Sequence, residues 1–216
     1  EFLYDLQKQG KTKDLKIAMV DTTKWRSKDA YNEPYVDYYF RHPAYNTYPV
    51  VNISYEAALL YCEWLSEKLK ELNKGKYEIK VRLPLRKEWV YAASCGGKYN
   101  PYAWGGPYVR NSKGCYLCNF KNVGEENIRY NKDKKNIEIA PGTYSIADAA
   151  DITAPVKSYF PNKYGLYNLN GNVAEMVFEK GIAVGGSWKS YGYEIRNEST
   201  ENYSGADTHI GFRPVV

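Results

Sequence analysis

Residues 165–175 read Gly165-Leu166-Tyr167-Asn168-Leu169-Asn170-Gly171-Asn172-Val173-Ala174-Glu175. Three asparagines, two glycines and one acid sit between apolar positions, which supplies more side-chain oxygens than a turn needs. A hard cation such as calcium takes about six to eight oxygens from carboxylates, amides and main-chain carbonyls, and glycine lets the backbone turn its carbonyls inward. The stretch also reads as a double turn whose Asn side chains bond their own backbone, the commoner use of such residues. Composition leaves both readings open.

The surrounding chain sets the frame. In 216 residues the apolar content is 44%, enough to fill a core, so the chain is not disordered. Lys and Arg number 30 against 25 Asp and Glu, and the cations are scattered, which excludes a nucleic-acid-binding stripe. The run Lys132, Lys134, Lys135 is broken by Asp133 and reads as a solvated loop. The 23 tyrosines raise aromatics to 16%; an apolar ring with a wet hydroxyl suits both the packing of coil on a small scaffold and a contact surface. No apolar run reaches the roughly 18 to 20 residues of a membrane span, and no signal peptide opens the chain. The amphipathic start Glu1-Phe2-Leu3-Tyr4-Asp5-Leu6 reads as a segment cut from something longer.

Residues 1–9 read as helix and Leu15 to Val20 as a short strand, followed by an irregular section from Asp21 to Tyr48. Pro49 to Ile53 is β-like. The clearest element is a helix from Tyr55 to Asn73, with Ser54 as N-cap and Glu56 in its first turn. Ala58, Tyr61, Cys62, Leu65, Leu69 and Leu72 recur at helical spacing and form its apolar face. A second helix is expected over Leu85 to Ala93, with short strands near Val156, Ile182 to Trp188 and Ile210 to Val215. Two helices, few strands, much coil and no internal repeat fit one α+β domain.

Cysteines are four: Cys62 on the buried helix face, Cys95, and the pair Cys115 and Cys118 spaced C-x-x-C. A zinc site needs two more ligands, and the two histidines, His42 and His209, are not spaced to supply them. Redox activity would place the pair at a helix N-terminus, whereas residues 114–120 read as strand or coil. Buried or free thiols remain the simplest reading.

Several segments together resemble one family. YPVVNISYEAALLYCEWL (48–65), RLPLRKEWVYAA (82–93), YAWGGP (102–107), TAPV (153–156), PNKYGLYNLNGNVAEMV (161–177), GGSW (185–188) and GFR (211–213) follow the order of the formylglycine-generating-enzyme, or sulfatase-modifying-factor, domain. The resemblance implies a C-type-lectin-like variant fold over residues 1–216, without its N-terminal strands. It also implies two structural calcium ions. One site maps onto the side chains of Asn168 and Glu175 with the carbonyls of Gly171 and Val173. The other maps onto the side chains of Asn119 and Asp148 with the carbonyls of Phe120 and Ala150. With the family in view, the calcium reading of residues 168–175 gains over the plain turn.

The catalytic comparison runs the other way. Enzymes of this family hold copper on two cysteines just after the GGS segment, because soft thiolates select Cu(I). The matching positions are Ser190 and Ile195, and no cysteine follows Cys118, so no copper and no formylglycine formation are expected. The iron-dependent branch uses histidines from an additional helical domain, which this chain lacks. Other departures are Leu85 for a helix-capping Thr, Val184 for an Arg and Met176 for a Trp.

Residues 31–51 (YNEPYVDYYFRHPAYNTYPVV) and 104–120 (WGGPYVRNSKGCYLCNF) are similar to the gliding-motility and type IX secretion lipoproteins of Bacteroidetes, which carry the domain without its catalytic cysteines. That similarity implies a protein-binding part of an envelope assembly on the periplasmic side of the outer membrane. Its partners are other envelope or secretion-machinery proteins, and it meets the membrane through an N-terminal lipid anchor absent from this chain. The alternative is a receptor whose relic active-site groove, formed by Ser187, Trp188, Ser190, Tyr191 and Arg196, binds a small or peptide ligand.

Overall fold

The computed structural model describes residues 1–28, 30–97, 99–122, 128–139 and 150–216. Five helices precede the sheet: α1 (Phe2–Lys8), α2 (Thr12–Ala18), α3 (Glu33–Tyr38), α4 (Tyr55–Leu72) and α5 (Arg86–Ala93). Strands β1 (Ile128–Asn131) and β2 (Asn136–Ile139) form a separate antiparallel hairpin. Strands β3 (Ala174–Met176), β4 (Ile182–Val184), β5 (Thr200–Asn202) and β6 (Ile210–Phe212) form a sheet of order β5-β4-β3-β6, in which β3 and β6 run parallel and the other pairs antiparallel. This is a helix-and-sheet domain with short elements joined by coil, as the α+β reading requires.

Helix α4 forms where its periodicity predicts. Ser54 accepts the Ala57 N–H at 3.1 Å and caps it, a bond worth about 1 kcal/mol. Ala57, Ala58 and Cys62 are buried against Leu83, Ala174, Met176 and Ile210, which places the main core between α4 and the sheet. Leu72 is the exception on that face: at 78% exposure it lies beyond the packed turns. Helix α5 starts at Arg86, and Leu85 has no oxygen with which to cap it; Glu88 compensates by accepting the Leu85 N–H at 2.9 Å. The hydrogen bonds from Arg82 and from that N–H hold the Glu88 carboxyl down to about 2.

Four expectations need correction. Residues 12–18 are helical, not a strand: DLKIAMV alternates like a strand, but Ala18 is buried and α2 packs on α1 and α4, so tertiary packing overrides the local pattern. Val156 lies in a turn, and Pro49 to Ile53 belongs to no strand. The section from 21 to 48 is less irregular than expected, holding α3 and 3₁₀ turns at Thr22–Trp25 and Pro43–Tyr45. These turns carry a second core of Trp25, Val36, Tyr39 and Val51, where Tyr39 donates to the Pro49 carbonyl at 2.7 Å. No helix among the described residues is long and apolar enough to cross a membrane.

Candidate functional site

Residues 165–175 fold as a double turn, with Asn168, Gly171 and Asn172 at φ of 50°, 74° and 66°. Asn and Gly tolerate this left-handed region. The buried asparagines reach away from their own turn. Asn170 Oδ1 accepts the Ala103 N–H at 2.7 Å, and its Nδ2 donates to the Ile195 carbonyl at 2.7 Å and to Asn197 Oδ1 at 3.0 Å. Asn172 accepts the Ala154 N–H at 2.6 Å and donates to the Ala154 carbonyl at 3.0 Å. A coil-rich interior must satisfy its peptide groups without a ladder, and buried amides do this here at about 1 kcal/mol per bond.

The same turn backs the place where the family's cysteines would lie. Gly171 N–H donates to the Gly185 carbonyl at 2.8 Å, Asn172 N–H to Asn119 O at 2.7 Å, and Trp188 N–H to Asn172 O at 3.1 Å. A Cβ on Gly171 would fall 2.3 Å from Asn119 O, so a glycine is required for the approach.

The two sets of expected calcium donors differ in their state. Asn119 is fully buried; its Nδ2 donates to the Ile152 carbonyl at 2.7 Å, while its Oδ1 has no hydrogen-bond partner. A buried amide oxygen without a donor costs about 1–3 kcal/mol, so this atom fits a cation ligand. Phe120 is buried beside it, Ala150 is exposed, and Asp148 lies outside the described residues. In the other set, Glu175 is 6% exposed and its carboxylate accepts Arg213 Nε at 3.0 Å, Arg213 Nη2 at 2.6 Å and the Trp89 indole N–H at 2.7 Å. Asn168 Nδ2 donates to the Pro155 carbonyl at 3.1 Å, the Gly171 carbonyl accepts the Val173 N–H at 2.9 Å, and Val173 is buried. Among the described residues no group of three or more His, Cys, Asp and Glu is arranged to hold a metal.

Ser190 and Ile195 offer no thiolate. Ser190 is buried, its Oγ accepting the Ser187 N–H at 2.9 Å and lying 3.1 Å from Ser187 Oγ. Ile195 is fully buried with Tyr102, Tyr116, Cys118 and Phe120. It fills the space in front of Gly186, where a Cβ would fall 2.7 Å from its Cγ2. The C-x-x-C does not present a working pair: Cys115 is exposed, whereas Cys118 is buried and burial drives its thiol far above the usual range. Burial likewise pushes the Cys62 thiol up to about 11.

A groove of about 290 Å³ opens beside Ser190, lined by Gly186, Lys189, Ser190, Glu194, Thr200, Glu201 and His209. Of the residues expected there, Ser190 alone lines it. Ser187 is fully buried beneath, and Trp188 turns inward to stack 6.4 Å from Trp25 and donate to the Thr208 carbonyl. Tyr191 faces the Lys121 ammonium, and the Arg196 guanidinium lies 3.4 Å over the Tyr193 ring. The groove's charged wall was missed by the sequence reading. His209 bridges Asp207 (Nδ1 to Oδ1, 2.6 Å) and Glu201 (Nε2 to Oε1, 2.5 Å), and Lys189 pairs with Asp207 at 2.9 Å. Burial would lower the His209 pKa, but the bonds to Asp207 and Glu201 outweigh it and raise it to about 9. Glu201 of β5 and His209, just before β6, are eight residues apart and meet through the course of the chain between those strands; the single available signal was a His two residues after Asp207.

The chain is similar to several known proteins. The sulfatase-modifying factor enzyme 1-like domain matches residues 7–216. The formylglycine-generating enzyme of Thermomonospora curvata is 32% identical over 132 residues, covering 59% of this chain and 32% of that protein. An inactive C-alpha-formylglycine-generating enzyme 2 of Bos taurus is 31% identical over 129 residues, covering 59% of this chain and 32% of its own length. The chain thus spans about a third of the curated relatives it matches. Among solved structures, PvdO from Pseudomonas aeruginosa superposes with a TM-score of 0.54 at 23% identity, covering 78% of this chain and 61% of that one. CarF gives 0.52 at 22%, covering 80% and 69%. These last two show the fold alone. With the family matched over nearly its whole length, the chain belongs to the sulfatase-modifying factor, or formylglycine-generating-enzyme, family, whose relatives include active and inactive members.

Proposed function

We propose that this chain is a non-catalytic, calcium-stabilised protein-binding domain of a bacterial envelope lipoprotein of the gliding-motility and type IX secretion type. The observation that carries the non-catalytic part is the pair of positions at the copper site: Ser190 is tied to Ser187, and Ile195 is part of the core. Cu(I) needs soft donors, and neither residue provides one. The existence of an inactive relative supports the same reading. The envelope assignment rests on the similarity of residues 31–51 and 104–120 to those lipoproteins. Exposed aromatic side chains such as Tyr31, Tyr99, Tyr108 and Phe160 supply a surface of the composition that protein interfaces favour.

Calcium would act on folding. Asn119 is the residue that would hold it, together with neighbouring carbonyls, and when bound it supplies a donor-seeking charge to an oxygen that otherwise has no partner. A ligand that binds the native state alone at a hundredfold excess over its Kd adds about 2.7 kcal/mol. Two measurements test the proposal. Incubation with a cysteine-containing peptide, copper and oxygen is expected to give no aldehyde product, and turnover would refute the non-catalytic reading. A melting scan with and without chelator is expected to show calcium-dependent stability; identical curves would remove the calcium component.

A second reading has an observation of its own: the groove beside Ser190 is open, with polar groups converging on it. A receptor role for a small or peptide ligand is therefore kept. It predicts that changing Thr200 or Glu194 on the groove wall weakens ligand binding while leaving partner assembly intact.

A further inference from the structure

The family resemblance assigns Glu175 to a calcium ion, and the geometry of this chain assigns it a different cation. Strands β3 and β6 run parallel with Glu175 opposite Gly211. Residues two apart on a strand share a face, so Arg213 follows Gly211 on the side that Glu175 occupies. The glycine keeps that face low: a Cβ there would meet the Val50 carbonyl at 2.5 Å and Val173 Cγ1 at 2.8 Å. The Arg213 side chain reaches back to the carboxylate. Its Nε lies 3.0 Å from both Glu175 oxygens and its Nη2 lies 2.6 Å from Oε1, while Trp89 Nε1 takes Oε2 at 2.7 Å.

A carboxylate offers about four lone-pair directions, and here three N–H donors, that of Nε shared between Oε1 and Oε2, engage both oxygens. Arg213 Nη2 also donates to the Tyr167 carbonyl at 2.8 Å, so the guanidinium ties the start of the Asn/Gly loop to its end. Of the other expected donors, the Gly171 carbonyl already accepts the Val173 N–H, and Asn168 is held by its Nδ2, which donates to the Pro155 carbonyl. A divalent ion on Glu175 would sit against a guanidinium that no accessible pH deprotonates. Asn119 Oδ1, by contrast, is buried and vacant of donors.

We propose that Arg213 takes the place of the metal at Glu175, so that residues 165–175 are clamped by an internal ion pair and no calcium binds there. Of the two expected positions, the Asn119 side is then the one left for calcium. That count rests on the calcium reading above, whereas the exclusion at Glu175 does not.

The test is calcium stoichiometry on the purified chain, by equilibrium dialysis after chelator stripping, with folding checked by circular dichroism. Wild type is expected to bind one calcium per chain, and Glu175→Gln the same number. Arg213→Met, which frees the carboxylate, is expected to gain one equivalent; Arg213→Lys, which keeps a cation, gains none. Two equivalents on wild type, with one lost in Glu175→Gln, would overturn the proposal, as would an Arg213→Met variant that folds and gains none. Because the substituted chains risk misfolding, the wild-type count decides by itself between two ions and fewer. Zero equivalents on wild type would defeat the Asn119 reading while supporting the exclusion at Glu175.

Discussion

Replacing His209 by glutamine tests the groove's charged wall through the pH dependence of stability. Three charged groups face the imidazole: Asp207 two residues before it, Glu201 from β5, and Lys189, which reaches the same Asp207 oxygen. The folded pKa is raised from 6.5 to about 9. A group raised on folding contributes fully below its unfolded pKa, and the contribution is lost as pH climbs through the folded value. At about 1.36 kcal/mol per pH unit the ceiling is about 3 kcal/mol. The imidazole is 17% exposed but Asp207 is 44% and Glu201 30% exposed, so solvent screening brings the expected figure to about 2 kcal/mol. Urea unfolding of wild type at pH 6.5, 7.5, 8.5 and 9.5, at fixed ionic strength and calcium, should show a loss of about 2 kcal/mol across the series. That corresponds to a fall of roughly 4–8 °C in Tm for a domain of this size. His209→Gln should begin lower and lack this component. Other groups titrating in the window are common to both proteins and cancel in the difference. Parallel pH profiles for the two proteins would refute the imidazolium bridge.

Three further outcomes follow from the packing. Asn170→Leu removes bonds to Ala103, Ile195 and Asn197 at one buried point and should cost about 2–4 kcal/mol in chemical denaturation, whereas Asn168→Ser, at a part-buried position with one such bond, should cost under about 1 kcal/mol. Gly186→Ala places a Cβ 2.9 Å from Ile195 Cα at a φ of +64° and should destabilise by at least about 2 kcal/mol; a variant as stable as wild type would contradict the close approach. In a thiol-reagent titration Cys115 should react at once, and Cys62 and Cys118 only after unfolding; fast labelling of Cys118 in the native protein would show that the 109–120 segment opens.

What could be read from the chain depended on the range of the forces involved. Helix α4 was legible because its apolar spacing and its Ser54 cap are local. In the main sheet, β4 and β6 fall inside the stretches 182–188 and 210–215 expected as strands, whereas β3 and β5, three residues each, are too short for alternation to register, and α2 was misread because its pattern is settled by packing on α4. Ser190 and Ile195 were placed by counting from Gly185-Gly186-Ser187, and both positions proved to be filled by structure. The wall of the groove was not legible, since Glu201 and His209 become neighbours only when β5 and the approach to β6 have been assembled. The predicted groove residue Trp188 illustrates the converse: adjacency in sequence to Ser187 carried no information about which way its ring turns.

The Asn/Gly stretch shows how the two readings of its oxygens divide. In a fold with so little ladder, amide side chains do the work of strands, and Asn170 and Asn172 are each matched by backbone partners from distant coil. Surplus oxygen in the sequence is therefore not surplus in the folded chain, and counting donors along residues 165–175 overstates the capacity for a metal. The relevant quantity is the number of buried oxygens left without a donor. Among the asparagines around this loop, Asn119 Oδ1 meets that condition, and it lies in a different segment from the stretch that first drew attention. Glu175, the sole acid of the stretch, fails the same criterion because Arg213 and Trp89 donate to both of its oxygens. A carboxylate that is fully paired with a guanidinium stabilises the loop at any calcium concentration, while an orphaned amide oxygen makes stability depend on the ion. The Asn119 segment and the 165–175 loop are thus held by forces with different environmental sensitivity, and chelation should loosen the Asn119 side while leaving the Arg213 side protected in hydrogen exchange.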